Sequence, residues 1–184
     1  MSQSTVLILP GWQGSGPLHW QMRWVAQHGD VVVEQHDWMR PLRGDWLSRL
    51  DDVLSDLEGP VLLAAHSLGC IQVAAWAAVS AQTHKVKAAL LVAPGDVEAS
   101  NFKDVFSTWQ PIVMNRLPFK SLLVGSQNDP FCTLERAQAF AKAWGSDFLN
   151  LGNKGHVNAD SNLGDWPEGR AMLNSLMKEK EHGH

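Results

Sequence analysis

Ser67, Asp129 and His156 are the three residue types from which an activated hydroxyl is built. A free serine hydroxyl is a poor nucleophile and needs a neighbouring base. Histidine suits that role, because an unperturbed pKa near ~6.5 lets it take and return a proton at neutral pH. An aspartate on the far ring nitrogen fixes the tautomer and stabilises the imidazolium. The residues around Ser67 favour an exposed hydroxyl. The apolar run Val61-Leu62-Leu63-Ala64-Ala65 gives way to His66-Ser67, and an alanine-rich run begins at Leu68. That reads as strand, sharp turn and helix, with the serine at the corner. Free backbone N–H groups at the helix start favour a developing negative charge there. Ala65-His66-Ser67-Leu68-Gly69 follows the G-x-S-x-G elbow with alanine in the first small position.

The elements that must position these residues alternate along the chain. Strands are expected at Thr5–Leu9, Val31–Gln35, Val61–Ala65, Val86–Ala93, Ser121–Ser126 and Asp147–Leu151. Helices are expected at Leu18–Gln27, Asp45–Leu57, Leu68–Ser80 and Thr133–Trp144, with Thr133 as N-cap. A last helix opens at Asp165-Trp166-Pro167-Glu168, with Asp165 as candidate N-cap and Pro167 in its first turn. The short, continuously apolar strands fit a sheet buried on both faces. Alternating strands and helices imply βαβ units, hence a mainly parallel sheet of about six strands with helices on both faces. Sites in such sheets form at the carboxyl ends of the strands. Gly11-Trp12, Ser67, Asp129 and His156 all follow strands on that edge, and Ser, Asp, His is the chain order of the α/β-hydrolase triad. The backbone N–H groups of Trp12 and Leu68 would then face a tetrahedral oxyanion. Losing one such donor typically costs about 2.7–4 kcal/mol of transition-state stabilisation.

Other residues compete for roles. The loop Pro10–Gly16 lacks the lysine of a phosphate-binding loop and does not match G-x-G-x-x-G, so an oxyanion loop or a plain connection remains. His66 adjoins the serine, but its side chain should point away from the elbow. His19, His28, His36 and His84 follow no triad strand and read as surface or second-layer residues. Glu34, His36 and Asp37 lack metal-ligand spacing such as H-E-x-x-H, so no metal is expected. Asp160 is a rival acid four residues past His156; Asp129 has its own loop, stiffened by Pro130. The aperiodic stretch 96–118 carries Phe102, Phe106, Trp109 and Met114. It reads either as a small cap or pocket wall, or as a surface connection packed by its own side chains. Nine tryptophans without a tyrosine are mostly core, but Trp12, Trp109 and Trp166 lie where they could line an acyl pocket.

Bulk properties bound the rest. A chain of 184 residues, 45% hydrophobic and 18% charged, reads as one compact domain over 1–184. A net charge of −4 without a basic block argues against nucleic acid. Lys178-Glu179-Lys180-Glu181 reads as a solvated helix end. Met1-Ser2-Gln3-Ser4 carries no positive charge run, and no window is long enough to span a membrane. The expected location is therefore cytoplasmic, where Cys70 and Cys132 would be reduced thiols.

Leu9-Pro10-Gly11-Trp12, Ala65-His66-Ser67-Leu68-Gly69, Asn128-Asp129-Pro130 and Gly155-His156-Val157-Asn158-Ala159-Asp160-Ser161 occur in that order, the last running on to Gly164-Asp165-Trp166-Pro167-Glu168-Gly169. Together they resemble the retinoblastoma-binding-protein-9-like small serine hydrolases, within the α/β-hydrolase superfamily. The resemblance implies a compact α/β-hydrolase fold with little or no lid, Ser67 as nucleophile, Asp129 as acid and His156 as base. It also implies hydrolysis of small esters. The expectation is a cofactor-free serine hydrolase, a carboxylesterase on small-molecule esters. Two alternatives share the fold: a binding module that holds a protein partner with weak or no turnover, and a peptidase or acyltransferase using the same triad.

Overall fold

The apolar runs become strands, and the central ones lose water on both sides. In the computed structural model, which describes residues 3–99, 101 and 103–178, they form one sheet of six strands. The strands are β1 (Thr5–Leu9), β2 (Val31–Val32), β3 (Val61–His66), β4 (Val86–Val92), β5 (Lys120–Gly125) and β6 (Asp147–Asn150). Their spatial order is β2-β1-β3-β4-β5-β6, and every neighbouring pair is parallel. The helices are α1 (Trp20–His28), α2 (Arg43–Ser55), α3 (Leu68–Ala77), α4 (Leu134–Trp144) and α5 (Pro167–Met177).

Successive strand residues enter two different cores. Leu7, Leu9, Leu63, Ala65, Ala89 and Leu91 pack with α2, α3 and α4. Val6, Ile8, Leu62, Ala64, Leu90 and Val92 pack with Trp20 and Trp24 of α1 and Leu173 of α5. A period-two pattern therefore never shows in the sequence. Helix α3 is buried from Leu68 through Trp76, as its apolar circumference requires.

Several boundaries differ from the expected ones, each for a local reason. Strand β2 stops at Val32, although the Val33 N–H still bonds the Ile8 carbonyl at 2.9 Å; Glu34 beyond it is exposed. Helix α1 starts after His19, whose ring accepts the Gln21 N–H, and Gly29 ends it at φ 70°. Thr133 caps α4 as expected, accepting from the Arg136 N–H. Asp165 does not cap α5. The cap position is Trp166 at φ 44°, with its ring buried against Trp20 and Trp24, while Asp165 pairs with Arg23. Gly169 makes room for that ring, since a Cβ there would meet it at 2.3 Å. Phe102, Met1-Ser2 and residues 179–181 of the expected charged end lie outside the described residues.

Topology then selects one crevice. β1 has β2 on one side and β3 on the other. The β1–β2 connection runs over one face through α1, and the β3–β4 connection runs over the other through α3. The loops leaving the carboxyl ends of β1 and β3 thus part, and ligands of open parallel sheets bind at such a switch point. Among the described residues no helix is long and apolar enough to cross a membrane.

Candidate active site

Ser67 sits at that switch point with φ 54° and ψ −119°, a conformation costly for an L-residue. Close packing holds it there. Its N–H bonds the Val92 carbonyl at 3.1 Å. Gly11 lies so near that a Cβ would stand 2.9 Å from the Ser67 Cβ and 3.3 Å from the Leu68 nitrogen. Gly95 approaches from the β4 loop, where a Cβ would come within 3.1 Å of Ser67 Oγ. Ala65 is fully buried between its partners Leu9 and Leu91, so the first small position of the elbow is a core position.

The loops after β5 and β6 bring up the other two groups. Ser67 Oγ lies 2.9 Å from His156 Nε2. His156 Nδ1 lies 2.9 Å and 3.0 Å from the two oxygens of Asp129. An ionised carboxylate only accepts, so Nδ1 carries the proton and the Nε2 lone pair receives the serine O–H. The two loops are stitched to each other: the Gln127 N–H donates to the Gly152 carbonyl at 2.8 Å, and the Gly155 N–H to Asn128 Oδ1 at 2.7 Å. The Phe131 N–H donates to Asp129 Oδ1 at 2.9 Å and holds that carboxylate in turn.

The crevice holds a cavity of about 260 Å³. Trp12, Leu68, Val97, Phe106 and Phe131 form its apolar wall. Trp12 is braced by its indole N–H on the Met39 carbonyl at 3.0 Å and by edge-to-face contact with Phe106 at 5.4 Å. The stretch 96–118 contributes Val97 and Phe106 to this wall, and it is also packed by its own side chains: Gln110 Nε2 donates to the Val97 carbonyl, and the Ile112 N–H to Glu98 Oε1. Trp12 and Leu68 both border the cavity, at the start of the β1 loop and of α3.

Some expected site residues fall elsewhere. Trp109 does not line the cavity; it is 1% exposed, donates to the Pro41 carbonyl at 2.6 Å and packs on Trp46. Trp166 does not line it either, being sunk on the opposite face of the sheet with Trp20 and Trp24. Asp160 is exposed and away from the His156 ring nitrogens, which Asp129 and Ser67 engage. Asp37 accepts from the Met39 and Arg40 N–H groups. Among the described residues no group of three His, Cys, Asp or Glu side chains is placed to hold a metal ion. Cys70 and Cys132 are free and buried, and burial pushes the Cys132 thiol up to about 12.

Two histidines do border the cavity. His66 does not turn away from the site. Strand alternation aims it at the α1 face, where the His156 loop arrives, and its ring lies 4.7 Å from that of His156. Of the two alternatives for His19, surface or second layer, the second holds: it is 4% exposed, lies with its ring 4.6 Å from that of His66, and borders the cavity as well. Burial lowers the pKa of His19 to about 4, helped by the charge of His156, and burial lowers that of His66 well below the usual value, helped by His19 and His156. Phe131 was legible only as a neighbour of Asp129 two residues along. Nothing in the spacing marked Asn158 as a cavity residue.

A parallel sheet with helices on both faces and a serine at a tight strand-to-helix turn defines an α/β-hydrolase. The family profile described as serine hydrolase matches residues 6–175, and the chain belongs to that family. Among solved structures, a YdeN-like hydrolase from Pectobacterium atrosepticum is similar at 27% identity and a TM-score of 0.83, over 95% of this chain and 90% of that one. The ydeN gene product from B. subtilis is similar at 16% identity and a TM-score of 0.73, over 96% and 100%. The esterase RhEst1 from Rhodococcus sp. is similar at 12% identity and a TM-score of 0.65, over 94% and 91%. No curated protein matches the chain.

Proposed function

We propose that this hydrolase is a cytoplasmic carboxylesterase of small acyl esters, a single domain of the retinoblastoma-binding-protein-9-like kind that works without a cofactor. Ser67 is the nucleophile, His156 the base and Asp129 the orienting acid. His156 Nε2 takes the proton as Ser67 Oγ attacks the ester carbon, then returns it to the leaving alcohol. A water activated by the same nitrogen releases the acid from the acyl-enzyme. The backbone N–H groups of Trp12 and Leu68 receive the oxyanion. The observation that carries this reading is the unbroken line from Asp129 through His156 to Ser67, with contacts of 2.9 Å on each side of the imidazole. The small apolar cavity above it supports a short acyl group over a peptide.

The test is Ser67→Ala. Hydrolysis of a short-chain nitrophenyl ester should fall to near the uncatalysed rate, and a fluorophosphonate should label the wild type at Ser67 only. Near-wild-type turnover in the variant would sink the reading. A folded wild-type protein that neither turns over esters nor takes the label would be a binding module instead.

A further inference from the structure

His156 is carried on a loop that no strand ladder or helix holds. Gly155 and Val157 flank it at φ 59° and 50°. Side chains from other elements pin that loop, Ser126 Oγ among them, which accepts from the Lys154 N–H at 3.0 Å. Asn128 Oδ1 accepts from the Gly155 N–H at 2.7 Å, Trp20 Nε1–H donates to the Val157 carbonyl at 2.9 Å, and His66 Nε2 lies 2.8 Å from the carbonyl oxygen of His156 itself. The last contact is special in one respect. It joins the backbone of the candidate base to the residue covalently next to Ser67.

The chemistry of that contact fixes the state of His66. A carbonyl oxygen can only accept, so Nε2 must carry the hydrogen. The titratable groups whose rings face His66 are His19 at 4.6 Å and His156 at 4.7 Å. Neither can hold a positive charge on it, and the imidazole stays neutral with Nδ1 bare. Behind it, His19 Nδ1 accepts the Gln21 N–H at 3.1 Å, so the His19 proton sits on Nε2. That Nε2 is buried with no hydrogen-bond partner among the described residues. A donor without a partner and a ring with a bare nitrogen thus lie side by side. Gln21 locks the base of this pair of rings, its amide bonded to the Leu9 and Ala64 carbonyls of the neighbouring strands β1 and β3.

We propose that His66 is a positioning residue: its Nε2–H, bonded to the His156 carbonyl, sets the distance between Ser67 Oγ and His156 Nε2, and His19 backs its ring. This rests on the triad reading above. His66 touches no reacting atom. It acts by keeping the base from drifting on its loop, and a misplacement of about 1 Å can cost on the order of 10²-fold in rate.

Two variants and one spectrum test it. His66→Leu keeps the bulk and removes the donor; His66→Gln keeps a side-chain N–H that reaches the same carbonyl. The expected result is a kcat about 10²-fold lower in His66→Leu with KM nearly unchanged, and recovery of most of that loss in His66→Gln. Equal losses in the two variants, a loss carried by KM, or wild-type kcat in His66→Leu would overturn the proposal. Nitrogen-15 spectra of wild-type imidazoles need no variant and decide the matter if His66→Leu does not fold. They should show His66 as the neutral Nε2–H tautomer at neutral pH. An Nδ1–H tautomer overturns it. Failure of the triad reading would show separately, as ester turnover that survives Ser67→Ala.

Discussion

A Cβ on Gly69 would lie 2.2 Å from the carbonyl oxygen of Leu9. The first turn of α3 therefore rests directly on the carboxyl end of β1, backbone against backbone. That contact presses the elbow toward the Gly11 loop and brings the start of the helix to the cavity. Because the neighbour is main chain, no side chain can swing aside. Gly69→Ala should cost about 1–3 kcal/mol of stability, read as a lower urea midpoint, and should lower kcat on a short-chain ester by pushing Ser67 off its partners. An unchanged midpoint with unchanged kcat would mean that the elbow tolerates a looser seat.

Asp129 offers a change that leaves shape alone. Asn at this position can present its amide nitrogen to His156 Nδ1, which then becomes the acceptor and leaves Nε2 protonated. A protonated Nε2 cannot take the serine proton. Asp129→Asn should fold like the wild type and lose about 10⁴-fold in kcat at neutral pH. Circular dichroism and steady-state kinetics on one preparation separate the two effects. A loss below about tenfold would point to a different acid.

The parts of this site legible in the sequence were those fixed by covalent neighbours or by topology. Ser67 was legible because small residues must flank a tight corner. Asp129 and His156 were legible because a parallel sheet sends every strand's carboxyl end to one edge. Orientation within the packed layers was not. His66 follows from strand alternation only when it is known which face carries the His156 loop, and that depends on where α1 and α5 pack. Trp109 and Trp166 lie at plausible chain positions for a pocket, but each indole is large enough to be claimed by the nearest core. At α5 the expected Pro167 in the first turn holds, but the cap does not: the Trp166 ring is buried at the cap position and Asp165 pairs with Arg23 instead.

Trp109 tests that reassignment. Its indole N–H bonds the Pro41 carbonyl, and its ring packs edge-on against Trp46 at 5.9 Å. Trp109→Phe removes the donor and leaves a buried carbonyl unpaired. Stability should fall by about 1–3 kcal/mol. Because the side chain does not border the cavity, kcat/KM on short and medium acyl esters should stay within about twofold of wild type. A change in acyl-chain preference without a loss of stability would return Trp109 to the pocket.

The buried histidines also predict how the fold responds to acid. His19 has its pKa lowered to about 4, and His66 lies well below its usual value, both chiefly through burial. In the unfolded chain both titrate near 6.5. Between these limits the unfolded state binds more protons than the folded one, so stability rises with pH. Their contribution is whole above about pH 6.5 and drains away as pH falls toward 4. For His19 alone the loss by about pH 4 is roughly 3 kcal/mol. The carboxylates with lowered values, Asp51 among them, lose theirs only at lower pH, below the ordinary 3.8. Urea unfolding at a series of pH values should therefore show a falling midpoint across the histidine window. His19→Asn keeps a side-chain oxygen for the Gln21 N–H and removes one titrating group. It should flatten the pH dependence by about one proton while leaving the His66 part in place. A wild-type midpoint that stays level from about pH 6.5 to about pH 4 would show that acid does not reach these rings only through unfolding, and that the buried pair opens to solvent in the folded protein.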